Sequence, residues 1–357
     1  MKYAYWLNRM YLSNQTKWNL LQAFGSAEKV YGATEQELID TSLLDEKKRN
    51  RFLQERETFQ LDIEYEKLQE KGIGFVYRTM KDFPKILYNY ANCPFGLYYR
   101  GHLPDRELIA MVGARRCSQY GKLTAQEISQ SLIKHGFGIV SGMARGIDGI
   151  SQRTAVLGGG YTIAVLGSGV DVCYPPEHKN LYADIVETGC VLSEFHPGTN
   201  PLKEHFPARN RLISGLSRSV VVVEAREKSG SLITADFALE QGKDIFAVPG
   251  RITDVMSKGC NQLIKTGAMP IVSVDQLIMD LSEFAFQTEV NFTNPMEQTL
   301  EKENLLVYSC LDFYAIGLEQ IMSRTNLDLL TTLSSITELE EAGLIKEVFK
   351  NQYIRLT

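Results

Sequence analysis

The stretch Asn200–Asp236 reads NPLKEHFPARNRLISGLSRSVVVVEAREKSGSLITAD and contains the clearest indication of the fold. Its apolar run Ser219–Val223 is rich in valine, which is typical of a parallel strand buried on both faces. A small polar turn, KSGS at 228–231, follows and opens a helix-like segment. A strand that leads through such a turn into a helix presents backbone N–H groups and a positive helix end, which favour phosphate. The sequence therefore predicts a parallel sheet with an anion-binding turn.

Similar apolar runs recur on both sides of this stretch, separated by helical intervals or Gly-rich turns. They are Leu108–Val112, Phe137–Ser141, Thr162–Leu166, Cys190–Ser193 and Ile245–Val248. This alternation predicts an α/β fold, a mostly parallel sheet with helices on both faces. The segment Pro94–Gly101 is expected to add an edge strand before the first parallel one.

Changes in the pattern of apolar and polar residues along the chain predict its domain boundaries. Residues 1–70 have a helical pattern, and this module is either structural or a helix-hairpin-helix contact with DNA. Residues 71–282 contain the predicted sheet. A polar linker is expected at 283–297. Residues 298–357 suggest three helices and a hairpin of Lys346–Phe349 and Gln352–Leu356, the outline of a winged-helix-like domain.

Charge is uneven along the 357 residues, whose formal net charge is −5. Residues 1–70 carry 10 Lys and Arg against 12 Asp and Glu, residues 71–281 carry 23 against 19, and residues 282–357 carry 5 against 12, giving −2, +4 and −7. Only the middle segment is therefore expected to attract a polyanion. For the acidic last segment, a protein contact is favoured over insertion into a DNA groove.

The cysteines and the first residues of the chain indicate in which cellular compartment the protein is expected. The six cysteines form no C-x-x-C pair, which indicates reduced thiols in a cytoplasmic protein. The apolar start Tyr3–Leu7 is interrupted by Asn8 and Arg9, so no signal peptide is predicted. No apolar run approaches the ~18 residues of a membrane span.

Four glycine-containing turns follow predicted strands, at GARRCS 113–118, SGMARGID 141–148, GSGVD 167–171 and SGS 229–231. The carboxyl ends of parallel strands share one edge of a sheet, where ligands bind, so these turns predict one anion site. No P-loop, no dinucleotide fingerprint, no nucleophile constellation and no metal-ligand cluster occurs in the sequence. We therefore expect no cofactor, no metal and no catalysis. Asp148 and Asp171 are interpreted as turn caps rather than as acids or bases.

The segment Lys203–Arg211 indicates which anion is bound. Cations close to an exposed aromatic fit single-stranded nucleic acid, because the cations follow phosphates while a base stacks on the ring. Spacing alone leaves Phe206 equally able to be a core anchor. Arg209 and Arg211 could equally form structural salt bridges.

Five motifs in order resemble the DNA processing protein A (DprA/Smf) family across residues 80–275. They are VGARRCSQYG, IVSGMARGID, AVLGSGVDVCYPPEH, LSEFHPGTNPLKEHFPARNRLISGLS and SVVVVEAREKSGSLITADFALEQGKDIFAVPG. The resemblance implies an extended Rossmann-like domain that binds single-stranded DNA without turnover. It also implies a role in natural transformation, shielding of incoming strands, loading of the recombinase RecA, and a homodimer.

Site residues are carried over from these motifs. The resemblance implies that Arg115, Lys203, Phe206, Arg209 and Arg211 line the DNA path. It implies a phosphate pocket shaped by Gly113, Ser141, Gly142, Gly167, Gly169, Ser229 and Gly230. Ala114 stands where the family often has serine, which puts one hydroxyl contact in doubt. The alternative is a nucleotide or nucleoside-phosphate hydrolase of a related Rossmann group, whose PGGxGTxxE motif is only partly matched by KSGSLITADF.

Overall fold

The computed structural model describes residues 1–90, 92–288, 302–311, 316–349 and 351–355. The chain forms two compact units, Met1–Leu281 and Ser282–Thr357. No helix in these described ranges is long and apolar enough to cross a membrane.

The first unit begins with six short helices. They are α1 (Lys2–Arg9), α2 (Asn14–Phe24), α3 (Ala27–Gly32), α4 (Glu35–Asp40), α5 (Glu46–Thr58) and α6 (Leu61–Glu70). Ser13, Ser26 and Asp45 each accept a backbone N–H at the start of a helix, which fixes where α2, α3 and α5 begin. The fully buried Trp6 packs edge-on against Phe52, so the helices share an aromatic core.

Nine strands of the first unit form one sheet. They are β1 (Gly74–Tyr77), β2 (Gly96–Gly101), β3 (Leu108–Val112), β4 (Gly138–Ser141), β5 (Thr162–Val165), β6 (Cys190–Ser193), β7 (Ser219–Val222), β8 (Asp244–Ala247) and β9 (Met269–Pro270). Their order is β1-β2-β6-β5-β4-β3-β7-β8-β9, and the run from β6 to β9 is parallel. The predicted fold class, α/β with a mostly parallel sheet and a helical N-terminal part, is confirmed.

Helices between the strands cover the sheet. They are α7 (Gln119–Lys134), α8 (Ile147–Leu157), α9 (Lys179–Thr188), α10 (His205–Leu216), α11 (Gly230–Glu240) and α12 (Lys258–Lys265), with short 3-10 helices at Lys85–Asn89 and Pro176–His178. A further helix, α13 (Val274–Thr288), follows β9. Every residue of β3, β4, β5, β6 and β7 is buried, as the continuous apolar runs predict for strands covered on both faces.

The expectation of an edge strand at Pro94–Gly101 was wrong. Strand β2 lies between β1 and β6 and pairs antiparallel with both. The edges are β1 and β9, which were not predicted because the short segments GFVY and MP carry little alternation.

Strand order reverses beside β3. From β3 the chain continues to β4 on one side, whereas β7 pairs with β3 on the other side. A crevice opens outside the carboxyl ends of such strands, because their following connections leave in opposite directions. The loops after β3 and β7 therefore border the same space.

The described residues of the second unit form helices and a small antiparallel sheet. Its elements are α14 (Lys302–Cys310), β10 (Ile316–Gly317), α15 (Leu318–Thr325), α16 (Leu329–Glu341), β11 (Ile345–Phe349) and β12 (Gln352–Arg355). Strand β12 lies between β10 and β11, and Ile321, Ile336 and Leu339 are buried beneath. The expected linker at 283–297 is helical up to Thr288, and its remainder lies outside the described residues.

Candidate nucleic-acid interface

A cleft of about 760 Å³ opens at the carboxyl ends of β3 and β7. Its walls are the loops after β3, β4 and β7 together with the first turns of α10 and α11. Seven residues singled out in the sequence line it: Gly113, Arg115, Lys203, Phe206, Arg209, Ser229 and Gly230. The tertiary structure thus brings the two ends of the stretch Asn200–Asp236 to one place.

A smaller recess joins the cleft at Arg115, Phe206 and Arg209. Gly142 and Gly167, both expected at the phosphate pocket, line this recess with Arg145 and Tyr174. The turns after β4 and β5 therefore meet the turn after β3, as strand order dictates.

Five exposed cations line the cleft without an acidic partner. Arg115, Arg116, Lys203, Arg226 and Lys228 form no ion pair within the part of the chain that the structure describes. The cleft therefore carries positive charge that its own side chains do not neutralise, and this charge favours a polyanion.

Phe206 is half-buried in the cleft wall, whereas core rings such as Phe246 are fully buried. The guanidinium carbons of Arg115 and Arg209 lie 5.5 and 6.0 Å from its ring centroid. The ring of Tyr174 lies 5.5 Å away at a tilt of 38°. Two aromatic rings and two cations thus surround one point of the cleft.

Two glycines allow this cluster to pack. A Cβ atom on Gly167 would approach Cδ1 of Phe206 to 3.1 Å, a tight contact that the ring could relieve only by moving a few tenths of an ångström. A Cβ atom on Gly142 would lie 2.5 Å from Nη1 of Arg209, a guanidinium that burial holds in place. The backbone N–H of Gly142 donates to Asp148 at 3.1 Å, so this N–H serves the turn rather than a ligand.

Arg209 forms the floor of the cluster. Its side chain is 5% exposed and donates from Nη1 to the carbonyl oxygens of Gly142, at 2.8 Å, and Val165. Burial lowers the pKa of Arg209 to about 10, opposed by the charge of Asp148, so the guanidinium stays positive at neutral pH. Burial likewise raises the pKa of Asp148, opposed by Arg209. The two buried side chains therefore influence each other electrostatically, and the guanidinium of Arg209 lies beside the Phe206 ring.

Arg211 lies outside the cleft. Its guanidinium forms an ion pair with Glu194 and donates to the carbonyl of Asn92 at 2.7 Å. Glu194 also accepts from the side-chain amide of Asn14 on α2 at 2.7 Å. Arg211 therefore joins α10 to the helical N-terminal part.

Three other residues of the predicted turns make hydrogen bonds or ion pairs within the fold. The hydroxyl of Ser141 is buried and donates to the carbonyl of Met111 at 2.6 Å. The N–H of Gly169 donates to the carbonyl of Thr199 at 2.9 Å. Asp171 accepts from the N–H of Gly198 at 2.6 Å and pairs with Lys71 at 2.9 Å, in line with its interpretation as a turn cap.

The start of α11 faces the cleft. Ser229 is its N-cap and accepts the N–H of Ser231 at 3.4 Å, while Gly230 has open space where a Cβ would stand. Arg116, Arg226, Lys228 and Tyr174 also line the cleft and were missed as site residues. Arg116 and Lys228 carried a signal, since they lie in the selected turns 113–118 and 228–231, whereas Arg226 and Tyr174 lie outside the selected turns.

A mostly parallel α/β sheet with a cleft at its switch point defines a Rossmann-like protein, and exposed cations line that cleft. The chain belongs to the DNA recombination-mediator protein A family, whose model matches residues 74–282. DNA processing protein DprA of Streptococcus pneumoniae is 45% identical over 206 residues, which cover 57% of this chain and 72% of that protein. Protein Smf of Synechocystis is 41% identical over 222 residues, 60% of this chain, and the match spans only 56% of that relative's length.

Solved structures agree with this assignment. The structure of S. pneumoniae DNA processing protein A has a TM-score of 0.70 and 36% identity, and the match covers 78% of this chain and 97% of that one. The structure of DNA processing protein A of Helicobacter pylori has a TM-score of 0.54 and 31% identity, and the match covers 59% of this chain and 96% of that one. That structure is described as giving insights into the unique single-stranded DNA binding mode of the H. pylori protein.

Proposed function

We propose that this protein binds single-stranded DNA in the cleft and acts as a recombination mediator. In this role it shields incoming strands and loads the recombinase RecA onto them during natural transformation and homologous recombination. It acts as a cytoplasmic homodimer and as a binding protein without turnover. Membership of the recombination-mediator family supports the proposal, as does the binding mode described for the H. pylori relative.

One observation carries the proposal: five cations without an ion-pair partner among the described residues share one cleft with a half-exposed aromatic ring. Cations that follow a backbone bind any phosphate chain, and the ring adds a contact that an unpaired base can reach. In a duplex the bases are stacked on one another, so the ring favours single strands. Binding is therefore expected to be strongly salt-dependent and almost independent of sequence.

The proposed contacts divide by exposure. Arg115 and Lys203 reach phosphates and Phe206 stacks on a base. Arg209 supports the ring from below. Gly113, Ser229 and Gly230 border the strand with backbone groups.

The second unit is proposed to contact a protein rather than DNA. Residues 282–357 carry a net charge of −7, and Leu330 on α16 is 80% exposed. An acidic surface with exposed leucine repels phosphate but suits a partner protein. For the homodimer, the segment Asn261–Ala268 is the proposed contact.

The test is an electrophoretic shift with oligo(dT) against duplex of equal length, with and without RecA. We expect a shift with oligo(dT), a much weaker one with duplex, and faster RecA assembly on strands already bound by the protein. Arg115→Ala should weaken oligo(dT) binding several-fold, whereas Arg106→Ala, which removes the same charge beside the first residues of β3, should not. Equal binding of single strand and duplex would contradict the proposal.

Two further assays separate the neighbouring hypotheses. Removing residues 298–357 should leave oligo(dT) binding in place, because the cleft lies wholly in the first unit. Release of free base from nucleoside monophosphates by the pure protein would instead favour the hydrolase alternative.

A further inference from the structure

Arg145 differs from the other exposed arginines of the cluster in having an acidic partner. It lines the recess beside Arg115 and Tyr174, and its Nε donates to Oε1 of Glu177. Glu177 lies in the 3-10 helix Pro176–His178, directly before α9. The pair therefore stands at the rim of the recess, where a strand held by Arg115 and Phe206 would pass.

The backbone beneath Arg145 is held from two sides. The N–H of Ile147 donates to the carbonyl of Ala114 at 3.2 Å, and a Cβ on Gly146 would lie 2.1 Å from that same oxygen. A ring nitrogen of His178 lies 3.0 Å from the carbonyl of Met143. The turn after β4 is thereby fixed beside the turn after β3, while the long side chain of Arg145 extends into solvent.

Charge explains why Glu177 is there. Arg115, Arg145 and Arg209 all line the small recess, and three guanidinium groups so close together repel one another. Asp148 offsets Arg209 and Glu177 offsets Arg145, while Arg115 has no ion-pair partner in the described ranges. A phosphate diester could take the place of the Glu177 carboxylate, because both are singly charged oxygen anions that accept from a guanidinium.

The pair is also weak enough to exchange. The side chains of Arg145 and Glu177 are 58% and 46% exposed, so water screens their attraction. Resting on the proposed function, we propose that Arg145 is a phosphate ligand for single-stranded DNA and that Glu177 is its counterion until a strand replaces it. Glu177 then moderates affinity for the strand without touching it.

The test uses the full chain, fluorescent oligo(dT) and a series of salt concentrations. Glu177→Gln keeps the size of the side chain and frees Arg145, so Kd should fall by about two- to fivefold, the range that an exposed ion pair supplies. The slope of the logarithm of affinity against that of salt should stay nearly the same in Glu177→Gln, because Arg145 contacts the same phosphate in both proteins, and should become shallower by about 0.7 in Arg145→Ala, which loses one phosphate contact. Glu187→Gln is the matched control, since it removes the same charge from the exposed end of α9.

A double variant separates exchange from a general charge effect. Arg145→Ala should weaken binding, and Arg145→Ala combined with Glu177→Gln should bind like Arg145→Ala alone. If Glu177→Gln binds like the wild type, or tightens binding equally when Arg145 is absent, the inference is wrong and the proposed function stands. If the wild type itself binds no oligo(dT), the proposed function fails and the inference with it.

Discussion

The guanidinium carbon of Arg115 lies 5.5 Å from the centroid of the Phe206 ring, so a cation from the loop after β3 meets an aromatic ring from α10. Each residue alone would be a common surface feature. Together they place a phosphate contact beside a surface on which a base can stack. The proposed discrimination between single strand and duplex depends on this juxtaposition.

Replacing Phe206 by leucine tests the ring. We expect Kd for oligo(dT) to rise by about 5- to 100-fold, since one stacked base contributes roughly 1–3 kcal/mol. Phe206→Tyr should retain most of the affinity because it keeps the ring. Fluorescence anisotropy measures both, and Tyr11→Ala, which removes an exposed ring of the helical part, is the control. Unchanged binding by Phe206→Leu would exclude stacking on this ring.

Arg209 and Asp148 are expected to stabilise the fold as a pair. Arg209→Met leaves a buried carboxylate without its countercharge, so the free energy of unfolding should fall by about 3–5 kcal/mol. Adding Asp148→Asn to that variant should restore part of the loss, because no uncompensated charge then remains. Chemical denaturation at neutral pH measures all three proteins. Additive losses would show that the two side chains do not interact.

Arg211 is expected to separate stability from binding. Arg211→Ala removes the ion pair with Glu194, whose two side chains are 16% and 20% exposed, and should cost about 1–3 kcal/mol of unfolding free energy. Its Kd for oligo(dT) should change less than about twofold, because the residue lies outside the cleft. Arg115→Ala should instead raise the Kd for oligo(dT) and leave the unfolding free energy nearly unchanged. A large loss of affinity in a stable Arg211→Ala protein would return Arg211 to the DNA path.

Lys17 predicts a pH dependence of stability. Its side chain is 7% exposed and donates to the carbonyl of Asn8, and burial lowers its pKa from 10.5 to about 8. Between these two pH values the unfolded chain binds more protons at this position than the folded chain, so the contribution of Lys17 to stability rises with pH. The unfolding free energy of the wild type relative to that of Lys17→Met should therefore rise by roughly 3 kcal/mol across that pH interval, as measured by chemical denaturation. Parallel pH profiles would show that Lys17 is not perturbed.

The sequence alone supported the interior of the sheet and much of the cleft. Valine-rich runs at positions such as Ser219–Val223 report burial on both faces, and burial on both faces implies parallel strands with helices between them. The turns that follow those strands then share an edge by geometry. Arg115 was selected because it lies in such a turn, whereas Lys203 and Phe206 were selected from the cations and the ring of the segment Lys203–Arg211, and the family resemblance implied that all three line the DNA path.

The contacts that each selected residue makes became known only from the folded structure. Arg209 and Arg211 are two positions apart on α10, yet one lies buried over Asp148 and the other pairs with Glu194 across the helix. Helical spacing points the two side chains in different directions, and their partners lie far away in the chain. The edge strands β1 and β9 could not be predicted either, because segments of four and two residues are too short to show a clear alternation of apolar and polar residues. Sequence patterns determine which residues are buried and which turns converge, whereas partners distant in the chain determine which charges remain free for a ligand.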